Sequence, residues 1–254
     1  KRNFFPFPGK LLSWLYEPKI FRAAQKIVVT NEGTKDYYER EYGALVAAKI
    51  VVIHNSVFAE SYKDVPARTA VAPYVILYTG RIYWPQIQAL QNLVAAVKAI
   101  DLPVHVKIYA PNPPAYLKKL GLAGATISWH VAAPKDMPMV QADSDILFLP
   151  LSWGTKSQEI IDTATPGKFT DYLIAGRPMI IHAPKNTFLA RYAREHQCAL
   201  VVDDNSVSKL QEAIKTLIVN QPLASSLVKN ARETFLKNHE ASVNAKKFAS
   251  LFND

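Results

Sequence analysis

Two segments of the sequence carry residues suited to binding a phosphate. Gly80 and Arg81 follow an apolar run, where a glycine permits close approach of the backbone and an arginine supplies a fixed positive fork. Further along the chain, Pro166 and Gly167 stand where a helix would begin, and Lys168 follows them. Backbone amides at a helix N-terminus, together with an adjacent cation, favour an anion such as a diphosphate.

Two further side chains could contact the rest of a nucleotide. Asp171 lies one turn beyond Lys168 on the same predicted helix, and its carboxylate could accept two hydrogen bonds from a ribose diol. His130 ends an apolar run and could contact a base or a sugar, and a histidine satisfied by its protein neighbours is the simpler alternative. The segment 143–145 has the Asp-x-Asp form of some metal sites, but it precedes a buried strand, so we interpret it as structural. We therefore expect no metal.

The elements that must position these residues alternate along the chain. The 254 residues are 49% apolar and 20% charged, which indicates a globular protein of one large domain or two small ones. Expected strands are 75–79, 104–109, 125–129, 145–149, 178–182 and 199–202, and expected helices are 85–99, 115–120, 134–142, 168–175, 186–195, 206–219, 222–238 and 241–252. This alternation predicts an open, doubly wound parallel sheet, in which ligands bind beyond the carboxyl ends of the strands.

The first part of the chain predicts a smaller unit. Short β-branched runs at 27–30 and 49–53 flank a helix at 34–42 that Asn31 could cap and Gly43 could end, which is the pattern of a βαβ unit. The polar, proline-containing segment 58–73 is typical of a linker.

The charge of the chain narrows the class of partner. Thirty basic and 21 acidic residues give a formal net charge of +9, which favours an acidic partner such as a nucleic acid, an anionic membrane surface or a phosphorylated substrate. The sequence has no basic stripe with interleaved aromatic residues, so a nucleic acid is the least favoured. The aromatic residues Phe4, Phe5, Phe7 and Trp14, beside Lys10, Lys19 and Arg22, could contact a membrane interface or cover apolar surface. The single Cys198 favours a cytoplasmic protein.

Four segments together resemble the retaining, nucleotide-sugar-dependent glycosyltransferases of GT-B fold. Residues 165–178 resemble the family's Pro-x-Lys-x-x-Glu-Tyr-x-x-x-Gly-x-Pro signature, and residues 79–81 resemble the Gly-Arg turn that opens its donor-binding domain. Residues 142–150 resemble its Ala-Asp-x-x-Leu-x-Pro strand. Residues 27–57 resemble the last βαβ unit of its acceptor-binding domain, which ends in Ile-x-Asn-x-Val.

The resemblance implies a fold and an activity. It implies an α/β fold with a Rossmann-like, doubly wound parallel sheet and a partial second βαβ lobe. Residues 1–57 would be a remnant of the acceptor-side domain, 58–73 the linker and 74–254 the donor-binding domain. The implied reaction transfers a sugar from a nucleotide diphosphate to a saccharide or lipid acceptor, with retention and without a metal or other cofactor. The implied location is cytoplasmic, with peripheral membrane contact as a further expectation.

The resemblance also implies roles for individual residues. Arg81 and Lys168 would neutralise the diphosphate during catalysis. The implied donor-binding set is Gly80, Arg81, His130, Pro166, Gly167, Lys168, Phe169 and Asp171.

The sequence departs from the family pattern at several positions. Asp171 replaces a glutamate, and the family's first glutamate falls at Thr163, leaving Glu159 or Asp162 as substitutes. Trp84 or Pro85 stands where a lysine is expected. These departures keep a second hypothesis open, namely a non-catalytic nucleotide- or nucleotide-sugar-binding module. For these 254 residues, we expect nucleotide binding with negligible transfer.

Overall fold

The computed structural model describes residues 7–63, 65, 68–155 and 157–252, of which 7–14 are described by their backbone only. The strands are β1 (Ile27–Val29), β2 (Ile50–Val52), β3 (Tyr74–Thr79), β4 (Val104–Tyr109), β5 (Ile127–His130), β6 (Ile146–Pro150), β7 (Met179–His182) and β8 (Leu200–Val202). The helices are α1 (Phe7–Ala23), α2 (Glu32–Tyr42), α3 (Ala44–Ala47), α4 (Ile87–Ala99), α5 (Pro114–Lys119), α6 (Met137–Ala142), α7 (Gln158–Asp162), α8 (Gly167–Ile174), α9 (Phe188–Glu195), α10 (Val207–Val219), α11 (Gln221–Asn238) and α12 (Ala241–Ser250), with short 3₁₀ turns at Ala59–Tyr62 and Pro134–Asp136.

The larger sheet is parallel and doubly wound, which confirms the predicted fold class. Its strands lie in the order β5-β4-β3-β6-β7-β8, so the order of connection reverses between β3 and β6. In sheets of this kind the crevice at that reversal, beyond the carboxyl ends of the strands, is where ligands bind. The residues that follow β3 are therefore placed at the expected binding edge.

Both faces of this sheet are covered by helices, which explains the continuous apolar runs of its central strands. On one face Ile76, Phe148 and Ile180 belong to a buried cluster with Leu93 of α4 and Ile214 of α10. On the other face a second buried cluster joins Leu77, Leu149 and Ile181 to Phe169 and Leu173 of α8 and to Leu189 of α9. The carboxyl edge is thus carried by a rigid core.

The smaller sheet pairs β1 with β2 in parallel, as the βαβ pattern predicts. The Asn31 side chain accepts a hydrogen bond from the backbone of Thr34 at 2.7 Å, which caps α2, and Gly43 ends that helix with φ +81°. The Asn31 amide also donates to the Thr165 hydroxyl at 2.7 Å. The small lobe is therefore hydrogen-bonded to the segment that leads into α8.

Several boundaries differ from the sequence-based prediction. Helix α4 begins at Ile87 rather than at residue 85. The Pro85 carbonyl instead accepts a hydrogen bond from the Ser152 backbone at 2.7 Å, and Gln86 closes a turn with Tyr83. The short helix α7 lies within the segment 151–166, where no helix was predicted.

The N-terminal helix carries apolar side chains on its surface. Leu15, Tyr16 and Ile20 are exposed, and Lys19 lies beside them. No helix in the described part of the chain is long and apolar enough to cross a membrane. Phe4 and Phe5 lie outside the described residues, as do the side chains of Phe7, Lys10 and Trp14.

Candidate functional site

A tight turn after β3 brings Gly80 against Lys168. Gly80 has φ +109°, a backbone conformation that residues with a side chain rarely adopt. Its backbone N–H donates to the Tyr109 carbonyl at 2.8 Å. A Cβ atom at this position would lie 2.9 Å from Lys168 Cε. The positive φ and this close approach of the lysine together favour glycine at position 80. The structure thus brings together two site residues that are 88 positions apart in the sequence.

Lys168 is held by an aromatic hydroxyl rather than by a carboxylate. Its Nζ lies 2.8 Å from the Tyr78 hydroxyl and 4.2 Å from the centroid of the Tyr78 ring. Burial lowers the pKa of Lys168 to about 7, because removal from water disfavours the charged form. An anion brought next to this amine would raise its pKa again. The group is therefore poised to gain a proton when a phosphate binds.

Arg81 presents its side chain to solvent at the same turn. The residue is exposed, and its guanidinium has no acidic partner among the described residues. Its backbone is well fixed, since the Arg81 carbonyl accepts from the Tyr78 hydroxyl at 3.1 Å. The next residue, Ile82, exchanges hydrogen bonds of 2.8 and 2.9 Å with the Asn112 side chain. A fixed backbone with a free guanidinium is an arrangement suited to an anionic ligand.

The start of α8 opens onto free space, as the phosphate prediction requires. Pro166 occupies the N-cap position and Gly167 the first helical position. Gly167 is exposed, and a Cβ atom built there would meet no atom within 4 Å. The preceding Thr165 is anchored because its carbonyl accepts from the Asn55 side chain at 3.3 Å. The N-terminus of α8 is therefore both accessible and held in place.

Phe169 does not face this surface, which corrects its predicted role as a donor contact. Its side chain is fully buried and packs edge-on against Tyr192 and His239, with ring centroids 5.9 and 5.8 Å apart. Its backbone N–H already donates to the Pro166 carbonyl at 2.9 Å. Phe169 follows Lys168 directly, so the helical turn points it into the core. It anchors α8.

Asp171 is half-buried one turn along α8 and has a partner from the linker segment. The Tyr62 hydroxyl lies 3.2 Å from Asp171 Oδ1 and 2.7 Å from the Gln141 side-chain oxygen. Burial raises the pKa of Asp171, and the hydrogen bond from Tyr62 opposes this shift. No local sequence pattern indicated this contact, because 109 positions separate Tyr62 from Asp171. The second carboxylate oxygen has no protein partner in the described part of the chain.

His130 lies at the same edge of the sheet but apart from the Gly80–Lys168 contact. It ends β5, and its ring stacks on Tyr109 with centroids 4.8 Å apart. Its Nε2 lies 2.8 Å from the Ser128 hydroxyl, and burial lowers its pKa, as does the nearby charge of Lys107. Tyr109 lies between His130 and Gly80 across adjacent strands. The histidine is satisfied by protein neighbours, and its ring remains half-buried at the edge.

Thr163, which stands where the family pattern has its first glutamate, makes hydrogen bonds within the protein. Thr163 donates its hydroxyl to the Glu159 carbonyl at 2.7 Å, and its own carbonyl accepts from Asn31 at 3.0 Å. Asp162 accepts from Gln158 at 2.9 Å. At the position of the missing lysine, Trp84 is exposed and Pro85 is buried. Within the described chain, no side-chain hydrogen bond or ion pair joins these residues to Lys168 or Arg81.

The Asp-x-Asp segment lies at the opposite, amino edge of the sheet. Arg68 contacts Asp143 at 3.1 Å and Asp145 at 3.2 Å, and Lys107 contacts Asp143 at 3.3 Å. Both carboxylates are thus neutralised by protein cations. Within the described ranges, no group of three or more His, Cys, Asp and Glu residues is arranged to hold a metal ion.

Sequence reasoning missed two tyrosines that shape the carboxyl edge. Tyr78 is fully buried and contacts both Lys168 and Arg81 through its hydroxyl. Tyr172 is also fully buried, and its hydroxyl accepts from the Thr79 backbone at 2.9 Å. For Tyr78 the available signal was a hydroxyl-bearing residue near the end of an otherwise apolar strand, since a buried hydroxyl needs a hydrogen-bond partner.

Comparisons with known proteins agree with this arrangement. Residues 73–220, which include the whole turn after β3 and α8, match the sequence profile of the family described as Glycosyl transferases group 1. A search of curated protein sequences returns no significant match.

Solved structures of similar fold include three glycosyltransferases. Sucrose-phosphate synthase from Thermosynechococcus elongatus has a TM-score of 0.68 at 15% identity, and the match covers 100% of this chain and 63% of that one. Anabaena HepE, solved with UDP and glucose, has a TM-score of 0.69 at 12% identity, with 95% of this chain and 68% of that one covered. WaaG, a glycosyltransferase involved in lipopolysaccharide biosynthesis, has a TM-score of 0.64 at 15% identity, with 96% and 69% covered.

These structural matches show the fold, which is the GT-B fold, and the family match covers more than half of the chain. The chain spans somewhat under two thirds of the length of the synthase. This protein therefore belongs to the group 1 glycosyl transferases.

Proposed function

We propose that the carboxyl edge of the larger sheet is the donor site of a glycosyltransferase, where a nucleotide-diphosphate sugar binds for transfer of its sugar to a saccharide or lipid acceptor. The observation that carries this proposal is the convergence of the Gly80–Arg81 turn with Lys168. Neither Arg81 nor Lys168 has an acidic partner among the described residues, and Lys168 lies at the open N-terminus of α8. This is a positive surface at the edge where doubly wound sheets bind their ligands. The HepE structure with UDP and glucose supports a donor of this class.

In the proposed reaction the protein positions the donor and stabilises the leaving diphosphate. Arg81 and Lys168 would bind its oxygens and so stabilise the negative charge that develops as the glycosidic bond breaks. Asp171 would accept hydrogen bonds from the ribose. His130, stacked on Tyr109, would contact the base or the sugar at the neighbouring strand end. Retention of configuration is part of the proposal.

We propose that this chemistry needs no metal ion or other cofactor. The two cations that face the diphosphate would supply the charge stabilisation that a metal supplies in other enzymes. The carboxylates of Asp143 and Asp145 are engaged by Arg68 and Lys107 at the far edge of the sheet. Their charges are thus compensated by the protein.

The division into functional parts is also a proposal. Residues 1–57 would belong to the acceptor side, 58–73 to the linker and 74–254 to the donor-binding domain. The small lobe contributes the two-stranded sheet β1–β2. Because positioning an acceptor within about 3–3.5 Å requires an enclosing cleft, we expect the 254 residues to bind donor with negligible transfer.

Peripheral membrane contact of a cytoplasmic protein is proposed for α1. Leu15, Tyr16 and Ile20 are exposed, with Lys19 and Arg22 nearby. Apolar side chains beside basic ones suit an anionic lipid interface. A lipid acceptor would then be reached at the membrane surface. The WaaG likeness supports an acceptor of lipid-linked saccharide type.

A thermal-shift panel tests the proposal. UDP, GDP, ADP and dTDP would each be compared with the matching nucleoside. A ligand present at 100 times its dissociation constant should stabilise the protein by about 2.7 kcal/mol. We expect at least one diphosphate to stabilise the protein more than its nucleoside. The absence of a shift with every diphosphate would contradict the proposal.

The same protein preparation addresses the non-catalytic alternative. If diphosphates bind, nucleotide sugars labelled in the sugar would be supplied with lipid and saccharide acceptors. Slow donor hydrolysis without transfer agrees with the expectation for these residues. Robust transfer would show that the 254 residues suffice for catalysis. Donor binding with no hydrolysis would favour a nucleotide-sugar-binding module.

A further inference from the structure

Three groups at the carboxyl edge form a continuous hydrogen-bonded chain. Lys168 Nζ lies 2.8 Å from the Tyr78 hydroxyl, and that hydroxyl lies 3.1 Å from the Arg81 carbonyl. A carbonyl can only accept, so the single Tyr78 proton goes to Arg81. The lone pairs of the hydroxyl then face Lys168, which donates. The amine is thereby connected through one side chain to the backbone of the turn.

The chemistry of Tyr78 is unusual for its place in the fold. The side chain is fully buried at the end of β3, after the apolar residues Val75, Ile76 and Leu77. A phenylalanine would fill the same space without a hydroxyl that needs partners. The hydroxyl instead makes two hydrogen bonds: it accepts one from Lys168 and donates one to the Arg81 carbonyl. Its partners are the two residues assigned to the diphosphate.

We propose that Tyr78 is a positioning residue that ties Lys168 to the Gly80–Arg81 turn, so that both cations are presented together to one diphosphate. This inference rests on the proposed function of that turn. Lysine has a long, flexible side chain, and holding its amine before binding reduces the entropy lost when the ligand arrives. The Tyr78 ring adds a second restraint, because Nζ lies 4.2 Å from its centroid. Gly80 leaves the space through which the lysine passes.

A double-mutant cycle separates this role from a structural one. Tyr78→Phe, Lys168→Met and the double variant would be titrated with UDP, GDP, ADP and dTDP and with the matching nucleosides. Tyr78→Phe should weaken diphosphate binding about fivefold, the effect of one hydrogen bond, and leave nucleoside binding unchanged. In the Lys168→Met background, Tyr78→Phe should have no further effect. An equal loss in both backgrounds, or an equal loss for nucleosides, would overturn the proposal.

Tyr192→Phe provides a matched control. Tyr192 is also buried, and its hydroxyl accepts from Asn238 at 2.7 Å, far along the chain from the turn. Its loss should leave the ratio of diphosphate to nucleoside affinity unchanged. Melting temperatures of all variants would confirm that each remains folded. A changed ratio in Tyr192→Phe would contradict a specific role for Tyr78.

A second measurement needs no nucleotide. Acylation of Lys168 would be followed by peptide mass spectrometry across pH 6 to 10, which reports the titration of its amine. Loss of the Tyr78 hydroxyl removes an acceptor for the ammonium, so Tyr78→Phe should shift this titration to lower pH. An unchanged titration would overturn the Tyr78–Lys168 link. Absence of diphosphate binding by the wild-type protein together with a shifted titration would overturn the proposed function alone.

Discussion

Two clusters of basic residues occupy opposite edges of the same sheet and differ in their partners. At the amino edge, Arg68 and Lys107 contact the carboxylates of Asp143 and Asp145 at 3.1 to 3.3 Å. At the carboxyl edge, Arg81 is exposed without an acidic partner among the described residues, and Lys168 contacts the neutral Tyr78. Paired charges hold elements together, whereas unpaired cations at a binding edge leave their charge available to a ligand.

The ion pairs at the amino edge also support the interpretation of the Asp-x-Asp segment as structural rather than metal-binding. Asp145 Oδ2 accepts from the Val75 backbone at 2.7 Å and helps fix the start of β3. The amino-edge cluster therefore joins the linker segment to two strands. Arg81 and Lys168 at the carboxyl edge form no ion pair with a carboxylate of the described residues. We therefore assign them to the diphosphate.

The largest expected effect is a loss of stability at the amino edge. Arg68→Ala would leave Asp145, whose side chain is 4% exposed, without the cation that hydrogen-bonds to it. Stranding a buried carboxylate should lower the free energy of unfolding by about 3 kcal/mol. Diphosphate binding at the other edge should be unchanged once the protein is folded. Urea denaturation measures the first quantity, and a loss below about 0.5 kcal/mol would place Arg68 among ordinary surface residues.

The next effect concerns the ribose. Asp171→Asn should weaken nucleotide binding by about 1.5–3 kcal/mol, because a hydrogen bond to a charged acceptor is lost. Donors with 2′-deoxyribose should lose their disadvantage in this variant. Tyr62→Phe removes the neighbouring hydroxyl but keeps the carboxylate, so it should retain the preference for ribose. If Asp171→Asn kept the wild-type preference, Asp171 would not contact the ribose.

A smaller effect concerns the buried amine of Lys168. Its pKa is about 7 in the folded protein and 10.5 in the reference state, so the unfolded chain binds more protons between these values. Native stability should therefore rise as the pH increases from 7 towards 10.5. Lys168→Met lacks this rise and should be more stable than wild type by about 1 kcal/mol at pH 7.

Thermal unfolding at pH 7, 8, 9 and 10 measures the difference in stability between wild type and Lys168→Met. The difference should shrink as the pH rises. Lys215→Met, on the exposed side of α10, is the control and should show a constant difference from wild type. Parallel curves for wild type and Lys168→Met would show that the amine titrates normally.

The smallest expected effect is that of chelation. Diphosphate affinity should be the same in EDTA and in buffer, because the proposed site neutralises the ligand with side chains. Calorimetric titration with and without EDTA checks this expectation. A loss of affinity that Mg²⁺ or Mn²⁺ restores would show that a metal ion takes part in binding. It would contradict the claim that side chains alone neutralise the diphosphate at the carboxyl edge.

The sequence predicted the fold because its signals were local and repeated. Apolar runs such as Ile146–Pro150 indicate strands that are buried on both faces, and Asn31 and Gly43 bound α2 as their types predict. Helix α7 was missed because five residues within a polar segment carry too weak a periodic signal. The start of α4 was placed two residues early because the proline preference was overridden by the hydrogen bond from Ser152 to Pro85.

The candidate site was predicted only where adjacent residues carry the signal. Gly80 could be selected from its type and its position after a strand, and Gly167 and Lys168 from their types and their position at a helix start. Phe169 was included because it follows Lys168 directly in the sequence, but the direction of the helix turns its side chain into the core. The contact of Tyr62 with Asp171 depends on chain segments that are far apart, and no local pattern encodes it.

The central claim is that the turn after β3 binds a diphosphate through uncompensated positive charge, and Arg81→Ala tests it most directly. Arg232→Ala is the matched control, because Arg232 is also exposed but lies on α11 near the amino edge. Both variants would be titrated calorimetrically with UDP, GDP, ADP and dTDP and with the matching nucleosides. We predict that Arg81→Ala weakens diphosphate binding by about 2 kcal/mol and leaves nucleoside binding and stability unchanged, while Arg232→Ala changes none of them. Equal losses in the two variants, or an equal loss for nucleoside and diphosphate in Arg81→Ala, would contradict the account.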